Sequence, residues 1–419
     1  MTLLLEPDAP PARRDVADGS PPPLHHGALY ALALGTFAVG TEGFMIAALL
    51  PTISASLSVT IQAAGQLVTV FALVYALSSP ILTALTAALP RRQLLMLSLA
   101  AFAAANFVAA VASGYWALAG ARVLLALSAG LYVPNANALA GAMAAPHHRG
   151  RALGIVNGGI TVAIAIGVPL GAFVGSRYGW RATFVGVGLL STMALMVLGL
   201  MLPRNAAVMA PAGLRDRLAV IAAPGASLTL ATTTLWALAA YAVYTYIAPY
   251  LSVAGGFAPG QVGLVLFLYG GAALVGVTLG GWALDRFGNR TVQAVALPAM
   301  ALAFAGLTTV ALLRGPAIAG IIIGLVVIWG ISAWAFFPAQ QDRLIGVAGL
   351  ANTPVILSLN ASFMYLGFAA GAVLGSLVIT FLGIAWIGSA GAVALVAAMA
   401  MSRFARRRAP APPALASSR

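Results

Sequence analysis

Twelve long apolar stretches constrain this chain more than any other feature of its sequence. Each runs for about 18 residues or more with few charged side chains, as expected of a helix that crosses a membrane. The alternating strands of an outer-membrane barrel are absent. The stretches cover residues 27–50, 62–88, 94–112, 116–143, 152–175, 181–202, 227–251, 261–283, 291–313, 316–338, 353–381 and 384–402. We therefore predict an all-α membrane protein with twelve transmembrane helices.

The twelve spans divide into two related halves of six. When the first half is shifted by 198 positions, Pro51 falls on Pro249 and Arg92 falls on Arg290. Parallel halves of this kind are a transporter architecture with the substrate site at the membrane midplane between them. We predict two pseudo-symmetric six-helix bundles with these parts: a disordered tail (1–26), the first bundle (27–202), a central cytoplasmic loop (203–226), the second bundle (227–402) and a basic, disordered tail (403–419).

The strong positive charge follows the pattern of a membrane orientation signal. The net charge is +13, and all 21 basic residues are arginine. Seventeen of them fall in tails and loops on the side that carries both termini, three on the other side and one inside a span. Positive charge accumulates in short cytoplasmic loops. We predict a multi-pass protein of the bacterial inner (plasma) membrane with both termini cytoplasmic, and no nucleic-acid partner.

Several kinds of chemistry lack the residues they need. The chain has no Cys, hence no disulfide or thiolate ligand. It has no Lys for a phosphate-binding loop, and its four His lie in a tail and a loop without metal-ligand spacing. We expect no enzyme activity, no metal and no cofactor, so that the proton gradient would supply the driving force.

Two charged residues lie inside spans. Glu42 is the only carboxylate well within an apolar stretch. At the helical rise it lies about 13 Å from Pro51, near the outer end of span 1, and Arg122 lies about 10 Å from Tyr115, near the outer end of span 4. The two residues should therefore reach a similar depth, where pairing would lower the cost of burial. Burial favours a protonated carboxyl and a nearby guanidinium favours the ionised form. We predict that Glu42 is the proton-coupling acid and that Arg122 modulates it; a static ion pair is the alternative.

Polar and aromatic residues in spans 1, 4, 7 and 10 are candidates for a substrate cavity. Aromatic walls with a few polar groups suit a small amphiphilic molecule. Helix packing would explain any one of these residues equally well. The predicted set is Met45, Asn135, Asn137, Tyr241, Tyr244, Thr245, Trp334, Phe337 and Gln341.

Span 5 carries small residues at every fourth position. Such spacing puts them on one helix face, where a neighbouring helix can approach closely. Pro169 removes an internal hydrogen bond and favours a bend. The predicted packing motif comprises Gly159, Gly167, Pro169, Gly171 and Gly175, and span 11 repeats it at Gly367, Gly371 and Gly375.

Local motifs resemble those of the major facilitator superfamily, and GTEGFMIAALLPTIS resembles the first span of its twelve-span drug:proton antiporters. GGWALDRFGNR is similar to the superfamily's loop motif, and GVPLGAFVG resembles an antiporter motif with one residue inserted before Pro169. At the first copy of the loop motif Ala87 stands where Asp is expected. The resemblance implies a gating loop formed by Arg91, Arg92, Gly281, Asp285, Arg286, Gly288 and Arg290.

The resemblance also implies function. It favours proton-driven export of a small amphiphilic compound or drug by alternating access, by a monomer in contact with membrane lipid. A sugar or purine nucleoside exporter of the same superfamily is the first alternative. A passive facilitator or channel, whose flux would ignore a proton gradient, is an alternative of another class, and a receptor that does not transport is a third.

Overall fold

The computed structural model describes residues 26–86, 88–145, 148–202, 219–313, 318–349 and 352–408. Several predictions therefore lie outside the described residues. They concern Ala87, nearly all of the N-terminal tail, residues 203–218 of the central loop, and residues 409–419. The boundaries of the predicted domains remain predictions.

Six helices form the first bundle. The fifth of them contains a π-helical turn at Ala163–Gly167. The helices are α1 (His26–Leu57), α2 (Ile61–Leu85), α3 (Arg91–Ala110), α4 (Tyr115–Met143), α5 (Arg149–Tyr178) and α6 (Trp180–Met201).

The second bundle contains two interruptions. α7 (Ala226–Tyr244) breaks and continues as a short helix, Ile247–Gly255. The long element Pro259–Leu313 is bent at Gly288, whose φ of +76° is readily adopted only by glycine, so its two arms are α8 (259–287) and α9 (289–313). The remaining helices are α10 (Ile318–Ala348), α11 (Thr353–Phe381) and α12 (Ile387–Arg408).

The predicted fold class is confirmed. Eleven helices among the described residues are long and apolar enough to cross a membrane, and one of these, Pro259–Leu313, is two helices joined at Gly288. The described chain therefore makes twelve crossings. The same part of the chain contains no strand.

Helix ends differ from the predicted span limits. α1 passes through Pro51 and ends at Leu57, and α12 continues to Arg408 although we expected disorder from residue 403. The prediction followed hydropathy, which falls where a helix leaves the hydrocarbon, whereas the backbone hydrogen bonds continue. Contacts also hold the end of α12, since Arg406 donates to Gln293 of α9.

The glycine motifs lie at matching places in the two bundles. α5 packs on α1, and a Cβ atom added at Gly159 would collide with the carbonyl oxygen of Ala33. α11 packs on α7, where a Cβ atom at Gly371 would collide with the carbonyl oxygen of Leu238. Both bundles therefore join their first and fifth helices by close backbone approach.

The π-helical turn of α5 accommodates the residue inserted before Pro169. A π turn closes over one more residue than an α turn, because its hydrogen bonds run from i to i+5. The turn ends at Gly167, and Val168 separates it from Pro169. The bend expected from Pro169 stays a prediction.

Two pairs of helices make most of the contact between the two bundles. α5 contacts α8 at the π turn, where a Cβ atom at Gly270 would collide with the backbone of Ala165. α2 contacts α11, and Gly65 of α2 lies against the ring of Tyr246, just after the break in α7. The bundles are therefore held together through small residues and aromatic rings.

The glycine packing can be tested with two neighbouring glycines. We expect Gly159→Ala to lower the free energy of unfolding by about 1–3 kcal/mol, because the added methyl group pushes α5 away from α1. Gly158→Ala is the matched control, since a Cβ atom there meets nothing within 4 Å. Thermal unfolding in detergent, followed by tryptophan fluorescence, measures both. Equal melting temperatures for the two variants would contradict the proposed contact.

Candidate functional site

Glu42 and Arg122 form a salt bridge in the interior of the first bundle. Arg122 Nη1 donates to Glu42 Oε1, and both side chains are fully buried. This is the one ion pair found between residues that the structure describes. The depth inferred from the helical rise thus brings the two side chains together across α1 and α4.

Two further contacts hold the guanidinium in place. Arg122 Nε donates to the carbonyl oxygen of Leu67 at 3.2 Å. The Arg122 guanidinium carbon lies 4.3 Å from the centroid of the Phe71 ring, which is cation–π geometry. α2 therefore stabilises the cation by means that do not depend on Glu42.

The salt bridge leaves two buried polar atoms without a hydrogen-bond partner. Glu42 Oε2 and Arg122 Nη2 are buried and have no hydrogen-bond partner among the described residues. An unsatisfied buried polar atom raises the free energy of the folded state by about 1–3 kcal/mol. The carboxylate thus keeps one oxygen that can accept a proton without displacing a protein donor.

A tyrosine from the second bundle covers the ion pair. Tyr365 of α11 stacks on Tyr75 of α2, with ring centroids 3.7 Å apart, and lies 6.3 Å from the Phe71 ring. Phe71 is the ring that contacts the Arg122 guanidinium, so Tyr365 packs beside the surroundings of the ion pair. The charges belong to one bundle, but part of their immediate environment comes from the other.

A second aromatic contact joins α1 to α7 and α11. The Phe44 ring lies 6.2 Å from Tyr241, 6.0 Å from Tyr244 and 6.4 Å from Phe368. Tyr241 and Phe368 are stacked at 3.7 Å, and the Tyr244 hydroxyl donates to the Phe44 carbonyl oxygen at 3.3 Å. Predicted cavity residues Tyr241 and Tyr244 thus lie at the interface between bundles, near the ion pair.

The aromatic residues of α10 extend this cluster. Trp334 lies 6.0 Å from Phe337, and its indole donates to the Tyr269 hydroxyl at 3.4 Å. Tyr269 in turn lies 5.6 Å from Tyr244. The predicted residues Trp334 and Phe337 are therefore linked to Tyr244 through a residue that the prediction did not include.

Two other predicted cavity residues show no such link. Thr245 is fully buried beside the break in α7, and its hydroxyl has no hydrogen-bond partner among the described residues. Gln341 is half-buried at the end of α10 nearer the termini.

Three predicted cavity residues lie within the first bundle instead. Met45 is buried against Gly171. Asn135 is buried and accepts a hydrogen bond from Arg91, which fastens α4 to α3. Asn137 exchanges hydrogen bonds with Asn157 of α5 at 2.9 and 3.3 Å. The structure does not bring Met45 and Asn135 to the aromatic cluster, because their helix faces point into their own bundle.

The predicted gating residues lie at the ends of helices on the side of the termini. Arg92 donates to the carbonyl oxygen of Gly199 at 2.6 Å, which ties α3 to α6. Arg286, Arg290 and Asp285 are exposed around the bend at Gly288. Asp285 forms no ion pair with any described residue.

Besides Tyr269, five residues of the cluster were not predicted from the sequence. Four of the five show a spacing that puts rings on one helix face, four residues apart in α2 and three apart in α11. That spacing was available as a signal, but it does not say which helices face each other. The five residues are Phe44, Phe71, Tyr75, Tyr365 and Phe368.

Comparison with curated proteins finds membrane transporters. The chain is 34% identical to the "Uncharacterized MFS-type transporter YbcL" of Bacillus subtilis (strain 168), over 88% of this chain and 94% of that protein. It is 33% identical to a "Chloramphenicol resistance protein" of Streptomyces lividans, over 78% of this chain and 82% of that protein. It is 29% identical to a "Probable sugar efflux transporter" of Mannheimia succiniciproducens, over 86% of this chain and 89% of that protein.

Solved structures show the same fold. A bacterial homologue of the human lysosomal transporter Spinster, crystallised in an inward-facing and occupied conformation, superposes with a TM-score of 0.75 at 19% identity, over 94% of this chain and all of that one. The family model described as Major Facilitator Superfamily matches residues 32–354. With twelve crossings in two bundles, this chain belongs to the major facilitator superfamily.

Proposed function

We propose that the protein exports a small amphiphilic compound across the bacterial inner membrane in exchange for protons. The observation that carries this proposal is the buried pair of Glu42 and Arg122, which is held in one bundle and covered by Tyr365 of the other. Intramembrane charges that face a bundle interior mark ion or proton pathways. The proposed substrate path is the aromatic interface between the bundles.

Proton binding would change the contact between the bundles. A proton on Glu42 removes the negative charge and leaves Arg122 as an unpaired cation beside Phe71 and Tyr365. The electrostatic environment of Tyr365 then differs between the two protonation states, and with it the energy of its contact across the interface. A proton that binds on one side and leaves on the other would in this way bias the rocking of the bundles.

The composition of the interface supports an amphiphilic substrate. Its surfaces are aromatic rings, and the Tyr244 hydroxyl and the Trp334 indole already have protein partners. Such a wall offers stacking and few free hydrogen-bonding groups. The similarity to a protein named for chloramphenicol resistance agrees with this substrate class.

A sugar exporter is the second candidate. The similarity to a protein named as a probable sugar efflux transporter favours it. A sugar requires many hydrogen bonds, and the partly exposed amides that could supply them are Asn137, Asn157 and Gln341. Efflux assays with chloramphenicol-like compounds, sugars and nucleosides separate the two candidates, and flux that persists unchanged with an uncoupler would identify a passive facilitator instead.

Neutralising the buried acid tests proton coupling. We expect Glu42→Gln to reduce proton-driven transport in everted membrane vesicles to the level seen with an uncoupler, because the amide cannot titrate. Glu6→Gln is the matched control, since it makes the same change in the N-terminal tail. Substrate binding by purified Glu42→Gln shows that the protein is folded. Full proton-driven transport by this variant would refute the coupling role.

Removing the covering ring tests the link between bundles. The stack of Tyr75 and Tyr365 contributes about 0.5–1.5 kcal/mol beyond the area it buries, so Tyr365→Ala should shift the balance between conformations. Because the chain has no Cys, cysteines introduced at the exposed Ser176 and Ser252 can be spin-labelled without background.

We expect the distance distribution between these labels to shift in Tyr365→Ala and to stay close to that of the parent chain in Tyr365→Phe. Tyr178→Ala, which removes an exposed ring, is the control. Identical distributions for Tyr365→Ala and the control would show that the stack does not link the bundles.

A further inference from the structure

A group of arginines gathers where α9, α10 and α12 meet, on the membrane side of the termini. Arg343 Nη1 and Arg406 Nη2 both donate to the same atom, Gln293 Oε1, at 3.2 and 3.0 Å. The two guanidinium groups are therefore within about 6 Å of each other. Two positive charges at this distance repel one another.

No carboxylate of the described residues lies within ion-pair distance of either guanidinium group. Arg343 is 7% exposed, and its other hydrogen bonds go to the hydroxyl and carbonyl oxygens of Ser402, both neutral. The neighbouring carboxylate of Asp342 accepts instead from Asn289 at 2.6 Å. Neither Arg343 nor Arg406 forms an ion pair with a described residue.

The surface around these two residues combines more charge with apolar side chains. Arg290 and Arg403 are exposed on the same helix ends, and Arg290 interacts electrostatically with Arg406. α9 and α12 pack against each other, and both carry exposed apolar side chains close by, Val295 at 65% and Phe404 at 59%. Basic groups next to exposed apolar side chains match a lipid with an anionic headgroup.

We propose that Arg290, Arg343, Arg403 and Arg406 form a binding site for the headgroup phosphate of an anionic phospholipid, whose acyl chains lie along α9 and α12. Guanidinium groups bind phosphate oxygens through paired hydrogen bonds. Basic pockets between transmembrane helices on the cytoplasmic side bind anionic headgroups. The site would neutralise the repulsion and fasten α12 to α9.

An orientation signal alone does not account for this arrangement. Arginines that only orient a protein can remain exposed at its surface, as Arg149 and Arg151 do at the start of α5. Burying Arg343 and holding a second guanidinium against the same oxygen raises the energy of the folded state without improving orientation. An anion at the site removes that disadvantage.

The purified full chain in detergent tests the proposal by native mass spectrometry with phosphatidylglycerol and phosphatidylcholine. We expect one tightly held phosphatidylglycerol and weaker binding of phosphatidylcholine. Arg406→Gln should weaken phosphatidylglycerol binding about fivefold, the equivalent of the roughly 1 kcal/mol that one basic residue contributes near an anionic surface. Arg406 is half-buried, so this variant avoids the disruption expected from replacing Arg343.

Arg151→Gln is the matched control, because it removes an exposed arginine from the same side of the first bundle and should leave binding unchanged. Equal weakening by both substitutions, or equal binding of the two lipids, would overturn the site. Displacement of phosphatidylglycerol by inorganic phosphate at the same concentration as the lipid would show that the site binds free phosphate, and this too would overturn the lipid site. The acidic residues of the N-terminal tail are the other candidate for binding these arginines. The test variant replaces four of them with their amides: Glu6, Asp8, Asp15 and Asp18. If phosphatidylglycerol binds only to this variant, the tail occupies the arginine site and the lipid proposal fails.

Discussion

The first bundle depends on two opposite charges that are buried together. A lone carboxylate or a lone guanidinium inside a hydrophobic bundle would raise the free energy of the folded state by several kcal/mol. Glu42 and Arg122 offset this cost for each other, and the Leu67 carbonyl and the Phe71 ring hold the cation. The positions of α1, α2 and α4 relative to one another follow from these contacts. The glycines of α5 then allow α1 to be enclosed from its other side.

The second bundle contacts the first through aromatic rings and through glycine backbone. Tyr365 approaches the charges, while Gly270 lies against the π turn of α5. Neither contact uses a salt bridge across the interface. Contacts of this kind can separate and re-form without exposing a charge to hydrocarbon, which suits bundles that rock against each other.

Sequence reasoning predicted the features that depend on composition and on the geometry of a single helix. The twelve crossings follow from apolar length, the similar depth of Glu42 and Arg122 from the helical rise, and the close helix approach from glycine at every fourth position. Features that depend on which helices become neighbours were not predictable in this way. Asn135 was expected in the cavity but bonds to Arg91, and Tyr365 was missed, because an isolated helix does not show which of its faces meets which partner.

The solitary position of Glu42 has a consequence for energetics. It is the single acidic side chain buried among the described residues. If Glu42 is the coupling acid, as we propose, its one carboxyl group would carry one proton per turnover, so exchange for a monovalent cation would be electroneutral and would respond only to the pH difference. Export of an uncharged compound instead moves one net charge inward, and each 100 mV then adds about 2.3 kcal/mol, roughly a fiftyfold change in the attainable concentration ratio. Under the proposed mechanism, the charge of the exported compound would thus decide whether membrane voltage contributes to its export.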